Sequence, residues 1–248
     1  MRQDTSTESW NNLSEEWCEI APENETRKHF IMPYMLDLIG DIRGLRILDL
    51  GCGEGGYARE LTRRGGHVVA VDCAEFSIQY AMKKAIDEKV DVTHYVRNSN
   101  DLYGIEDNSF DLILCSMMLM DCEDLDGTLK EVNRVLKSNG NLYASVLHPC
   151  FTGKNIGRQD KGMNRKVIVE DYFSPKVYSQ ALPGGRKKVV WRHRTFEDYI
   201  KLFVKNGLNI VDLNEGRPND EQAMVSIPIA WLNKIPLFLF WTLMKTDM

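Results

Sequence analysis

Nowhere do apolar residues run long enough to cross a bilayer as a helix. The nearest approach, Ile227 to Met244, is split by Asn233 and Lys234 and interrupted by Pro228 and Pro236. The clean run from Ile235 to Met244 is ten residues, where a span needs about twenty, so a terminal core strand is expected there. The six cysteines (18, 52, 73, 115, 122 and 150) form no CxxC pair and no Cys/His cluster at zinc spacing. No metal is expected, and reduced thiols acting as small space-fillers are the simplest reading. MRQDTSTESW at the start lacks the apolar centre of a signal peptide, which points to a cytoplasmic protein. Neither an internal repeat nor a low-complexity tract occurs. A net charge of −5 argues against a protein that coats nucleic acid.

What is present suits one α/β domain with an insertion. The 248 residues are 43% apolar and 27% charged, enough to build an ordinary core. In residues 8 to 39, Trp10, Leu13 and Trp17, then Phe30, Tyr34 and Leu38, recur at helical spacing. From Leu45 short apolar runs alternate with amphipathic stretches. RILDL, HVVAVD, VTHYV, FDLILCS and LYASVL read as strands. Tyr57–Arg64, Ser77–Glu88 and Leu125–Leu136 read as the helices between them. Such alternation marks a doubly wound, mostly parallel sheet. It stops at His148-Pro149. About forty basic, aromatic-dotted residues follow, with strand signals only at Val167–Val169 and Val189–Trp191. Between Phe151 and Arg194, eleven lysines and arginines face three acids, a net +8 that leaves −13 for the rest. Thr195 and Asp198 then cap a helix that Gly207 ends, and LNIVDL is a further strand.

In ILDLGCGEGG an apolar strand ends in Asp49 and runs into four glycines within six positions. In an open parallel sheet ligands bind beyond the C-terminal strand ends, and glycine lets a ligand lie against bare backbone. Asp72 ends the second strand, where an acid accepts ribose hydroxyls. Asp49, two places before the first glycine, repels a pyrophosphate and attracts an ammonium or sulfonium. This feature disfavours an NAD-dependent dehydrogenase and favours adenosine with a cationic, zwitterionic tail.

ILDLGCGEGGYARELTRRGGHVVAVD resembles the first two motifs of class I S-adenosylmethionine-dependent methyltransferases, of the type 11-like small-molecule kind. The resemblance continues through VRNSNDLYGIEDNSFDLILCSMMLMDCEDLDGTLKEVNRVLKSNGNLYASVLHPCF, covering roughly residues 45 to 151. It implies a Rossmann-like sheet of about seven strands, mostly parallel with an antiparallel last strand, helices on both faces and an insertion after the fifth strand. It also implies S-adenosyl-L-methionine as cofactor. Asp49 would lie near its amino group, and Gly51, Cys52 and Gly53 against its methionine and ribose portion. Asp72 would hold the ribose and Cys73 would sit beside the adenine. Asn98 and Ser99 fall on the family's adenine-contacting triplet, with Asn98 in place of the usual acid, so that its amide oxygen accepts from the adenine amine. Cys115 and Ser116 would border the methyl group. A helical lid at 1–44 would precede a methyltransferase domain at 45–248, whose insertion at about 150–194 covers the substrate.

For the acceptor, His148 is a candidate base because it follows the fifth strand and Pro149 fixes the chain beside it. Asp121 is a second, as proton acceptor or attractant for a cation, with capping of the helix near Asp124 as its bland alternative. Tyr172, Trp191, His193 and Arg194 are candidate walls for an aromatic or anionic substrate. Trp10 and Trp17 either close over the cofactor or anchor a helix. No Asn-Pro-Pro-Tyr or Asp-Pro-Pro-Tyr follows the fourth strand, which favours a small-molecule acceptor methylated at N, O or C. The alternative is tRNA held by the basic insertion. A silent cofactor-binding module also remains, as does a choice between monomer and homodimer.

Overall fold

The computed structural model describes residues 4–152, 156–182 and 184–246. At the N-terminal end α1 (Thr5–Ile20) leads through short turns at Ala21–Glu23 and Arg27–Ile31 into α2 (Met32–Ile39). The alternating segment follows as β1 (Arg46–Leu50), α3 (Gly56–Arg63), β2 (His67–Asp72), α4 (Glu75–Asp87), β3 (Val92–Val96), β4 (Phe110–Ser116), α5 (Leu125–Val135) and β5 (Leu136–Leu147). Two hairpins make up most of the insertion: β6 (Ile156–Gln159) with β7 (Lys166–Val169), and β8 (Val177–Ala181) with β9 (Lys188–Arg192). The chain closes with α6 (Phe196–Lys205), β10 (Leu208–Asn214), α7 (Asp220–Val225), α8 (Ile227–Trp231) and β11 (Phe238–Lys245).

Seven strands form the main sheet in the order β10-β11-β5-β4-β1-β2-β3. β1 to β5 pair in parallel, and β11 runs antiparallel between β5 and β10, the Rossmann-like arrangement that the resemblance implies. Side chains alternate across a strand, and the apolar strands feed two cores accordingly. On one face Leu48, Ile113 and Trp241 pack with Leu129, Val132 and Phe203 of α5 and α6. On the other, Ile47, Leu114 and Phe240 pack with Leu36, Leu61 and Phe30. Burial falls from β1 and β4 at the centre to the half-exposed edge strands β3 and β10.

Helix boundaries follow local signals. Thr195 caps α6 in a full capping box with Asp198, satisfying N–H groups that the first turn leaves free. Asp124, not Asp121, caps α5 by accepting from Gly127 N at 2.8 Å. The terminal strand expected in the run from Ile235 to Met244 is β11, and α8 precedes it with a proline in its first turn, where the missing N–H costs nothing. The insertion carries β6 and β8 besides the two strands expected, because IGRQ and VYSQA have little apolar pattern and take their form from their partners.

Candidate active site

Strand order reverses between β1 and β4, and the crevice outside such a switch point is where open α/β sheets bind ligands. A cavity of about 880 Å³ opens there. Its floor is the turn after β1. Gly51 N and Cys52 N donate to the Val71 carbonyl at 2.8 and 3.0 Å, and Gly53 N donates to Asp72 Oδ2 at 2.9 Å. Gly51 and Gly53 have φ of +75° and +55°, which side-chain-bearing residues adopt at a cost. A Cβ on Gly51 would stand 2.8 Å from Met118 Cβ, and one on Gly53 2.9 Å from Trp17 Nε1. Beneath the turn Glu54, buried, receives Arg27 at 2.6 Å and Arg59 at 2.8 Å, which stiffens the loop from below.

The cavity is rich in buried carboxylate. Asp49 is 1% exposed, and its Oδ2 has no partner. Burial pushes its pKa up to about 7, against the pull of Arg27, with Glu54 and Asp72 adding to the rise. Asp72 accepts from Ala74 N at 2.8 Å as well as from Gly53, and burial raises its pKa too. Asp121 is 4% exposed. Trp10 Nε1 donates to its Oδ2 at 3.0 Å, while Oδ1 is unpartnered. Burial, the largest influence, puts its pKa well above the usual carboxylate range despite Trp10, Arg192 and Arg194. The cationic side chains on the wall are already engaged: Arg27 with Glu54, Arg97 with the Val96 and Tyr103 carbonyls, and Arg165 over the Trp231 ring.

Of the residues assigned to the cofactor from the sequence, Asp49, Gly51, Cys52, Gly53, Asp72, Cys73, Asn98 and Ser99 all line this one cavity. Cys115 does not: it is fully buried in the core, and its neighbour Ser116 reaches the cavity instead, because alternation along β4 turns the two side chains to opposite faces. Burial raises the Cys52, Cys73 and Cys115 thiols, which fits packing and not thiolate chemistry. The Asn98 amide nitrogen donates to Asp4 Oδ2 and Thr7 Oγ1, both at 2.9 Å, which ties Asn98 to the start of α1, where Asp4 is the N-cap.

The acceptor candidates divide. Asp121 and Trp191 line the cavity. His148 is 2% exposed and is not on the wall. Its Nδ1 accepts from Cys150 N at 3.1 Å, and Nε2 lies 2.9 Å from Glu215 Oε1. With both ring nitrogens engaged, and its pKa lowered by burial despite Glu215, this histidine braces the end of β5 and is no base for the cavity. His193 donates to the Tyr172 carbonyl at 2.7 Å, and the Tyr172 hydroxyl accepts from Phe196 N at 3.0 Å. Arg194 donates to the Leu119 and Cys122 carbonyls. These three fasten the insertion and the loop after β4 instead of facing a substrate.

Sequence reasoning overlooked Ser6 of α1 and Arg192 of β9, and left the part played by Trp10 and Trp17 open. Arg192 Nη1 donates to Ser6 Oγ at 2.8 Å and to the Asp121 carbonyl at 2.6 Å, and its Nη2 reaches Glu123 at 3.2 Å. Trp10 and Trp17, ring centroids 6.0 Å apart, both line the cavity, so α1 covers it. Leu237 and Phe238 bring the apolar C-terminal segment to the wall as well. Local pattern marks Asp4 as a cap, but carries no sign of its bond to Asn98.

A Rossmann-like sheet with a glycine turn under an acidic cavity defines an enzyme for an adenosine-bearing, cationic ligand. Comparison with known proteins agrees. A family model described as "Methyltransferase domain" matches residues 48–144. The chain is 32% identical over 123 residues to a ubiquinone biosynthesis O-methyltransferase of Xanthomonas oryzae pv. oryzae, covering 48% of this chain and 52% of that one. It is 30% identical over 175 residues to an enzyme of the same name from Neisseria meningitidis serogroup C, covering 67% and 69%. The chain thus spans about half the length of the first of these curated relatives. A crystal structure of an S-adenosylmethionine-dependent methyltransferase from Mesorhizobium loti superposes with a TM-score of 0.74 over 90% of this chain and 99% of that one, at 23% identity. The chain belongs to the class I S-adenosylmethionine-dependent methyltransferases.

Proposed function

We propose that this protein transfers a methyl group from S-adenosylmethionine to a nitrogen, oxygen or carbon of a small-molecule acceptor held in the cavity. The observation that carries the reading is the unpartnered buried Asp49 Oδ2 beside the glycine turn. A lone buried carboxylate is costly unless a cation meets it, and the cofactor's ammonium is such a cation. Asp72 takes the ribose hydroxyls, and Gly51 and Gly53 leave room for the chain between. When bound, the cofactor supplies an electron-poor methyl carbon on a sulfonium. The protein's part is placement and exclusion of water, for which α1, as a lid within residues 1–44, and the insertion at about 150–194 close the cavity.

The names of the curated relatives favour a small acceptor. An RNA acceptor draws less support from the insertion than its charge suggests. Arg165 lies over Trp231, Lys176 pairs with Asp171, and Arg192 and Arg194 hold neighbouring backbone and side chains; Lys154 falls outside the described residues. The test is calorimetric titration with S-adenosylmethionine and S-adenosylhomocysteine, NADH serving as control. Label transfer from methyl-labelled cofactor into a small-molecule extract and into bulk tRNA follows. Micromolar binding of the first two ligands and label in small molecules are expected. Folded, ligand-free protein that binds neither ligand would overturn the reading, and label confined to tRNA would overturn the choice of acceptor.

A further inference from the structure

Asp121 presents a buried carboxylate oxygen that nothing in the protein satisfies. It sits in the loop between β4 and α5, on the wall of the cavity, and is nine-tenths or more buried. Groups face it from every side: Ser6 and Trp10 of α1, Asp72 at the end of β2, Tyr178 of β8, Arg192 of β9 and Arg194 just beyond. Trp10 takes Oδ2. The two arginines are the obvious partners for Oδ1, yet Arg192 donates to the Asp121 carbonyl and Arg194 to the Leu119 and Cys122 carbonyls. They hold the loop by its backbone and leave the carboxylate free. A buried acid without a partner is costly as an anion, and a cation arriving from outside removes that cost.

The surroundings define that partner. Trp10, Trp17 and Trp191 line the same cavity, and Trp191 is braced edge-on by Tyr178 at 5.7 Å. Aromatic faces beside a carboxylate suit an organic cation. An anionic acceptor has little to meet, since the wall arginines are engaged. Among the described residues no lysine or histidine lines the cavity.

We propose that the methyl acceptor carries a basic nitrogen on an aromatic or apolar body, and that Asp121 is the residue that recognises this nitrogen. The proposal rests on the methyltransferase reading of the same cavity. An ammonium group entering beside Oδ1 is held there by a charge-assisted N–H···O bond, and for methyl transfer it gives up one N–H bond as an O–H bond forms on Asp121. The electron pair stays on nitrogen, which is the neutral form a methyl acceptor needs, and the proton resides on Oδ1. Burial raises the proton affinity of this acid, which favours the transfer.

The experiment uses the whole protein saturated with S-adenosylhomocysteine and three matched pairs of probes: phenethylamine and phenethyl alcohol, tryptamine and tryptophol, 1-naphthylmethylamine and 1-naphthylmethanol. Binding is followed by tryptophan fluorescence and calorimetry, in wild type and Asp121→Asn. The variant is isosteric and keeps an acceptor for Trp10. At least one amine is expected to bind about tenfold or more tighter than its alcohol, the worth of a charge-assisted hydrogen bond, and Asp121→Asn is expected to abolish that preference while retaining S-adenosylhomocysteine. Equal binding, preference for the alcohols, a preference that survives in the variant, or silence of all amines would each overturn the proposal. Failure of wild type to bind S-adenosylhomocysteine would instead overturn the methyltransferase site.

Discussion

Replacing Asp49 by asparagine should make the protein more stable and its cofactor site worse, and pH should separate the two effects. Asp49 is buried with one oxygen unpartnered, and its pKa is pushed up to about 7. A carboxyl whose folded pKa exceeds its unfolded one binds more protons in the folded state. It therefore removes stability as pH rises from the unfolded value of 3.8 to about 7. At about 1.4 kcal/mol per pH unit, the full penalty at pH 8 is roughly 4 kcal/mol, and at pH 5 it is less than half of that. Asparagine carries no charge to bury. Asp49→Asn should thus melt well above wild type at pH 8, by roughly 10 °C for a chain of this size, and the advantage should shrink by more than half at pH 5. S-adenosylhomocysteine, which keeps the ammonium, should bind about 10- to 100-fold more weakly to the variant at pH 8. Wild-type affinity should fall as pH drops through about 7, with the variant flat over that range. Scanning calorimetry and ligand titration at the two pH values provide the check. A variant no more stable than wild type at pH 8, or equally favoured at pH 5 and pH 8, would refute the account of Asp49 as an unpaired buried acid awaiting a cation.

Two other substitutions test the geometry. Gly51→Ala forces a Cβ to within 2.8 Å of Met118 Cβ at a φ of +75°; strain and overpacking together should cost about 2–5 kcal/mol in a denaturant titration, and a loss below about 1 kcal/mol would contradict the tight turn. His148→Gln removes a ring bonded at both nitrogens and should lower stability by about 1–3 kcal/mol. Its S-adenosylhomocysteine affinity should stay within about twofold, and a larger change would show that His148 reaches the cavity after all.

Much of the molecule is written in short-range pattern. Mostly apolar segments of five to seven residues, split by amphipathic stretches, announce the parallel sheet because a strand covered on both faces has little polar side to show. Thr195 with Asp198 announces α6, since a cap needs only its own next three residues. The glycine turn and Asp49 are legible for the same reason. Asp49 follows two apolar residues and precedes backbone that must bend through positive φ, so its place near the strand end and its charge can both be read locally.

The roles that changed all depend on distant partners. His148 looks like a base until Glu215, 67 positions away, takes its second nitrogen. Arg194 looks like an anion's partner until the carbonyls of Leu119 and Cys122 claim it. Asn98 carries no local sign that Asp4 and Thr7, more than ninety positions earlier, accept from its amide nitrogen. A hydrogen bond across the fold leaves no periodicity, because it constrains one atom and not a repeating face. The sequence by itself determined the sheet, the glycine turn and the acids at the strand ends, each set by neighbours along the chain. Only the tertiary structure decided which polar atoms are satisfied, and so which of them, Asp49 Oδ2 and Asp121 Oδ1, remain for a ligand to meet.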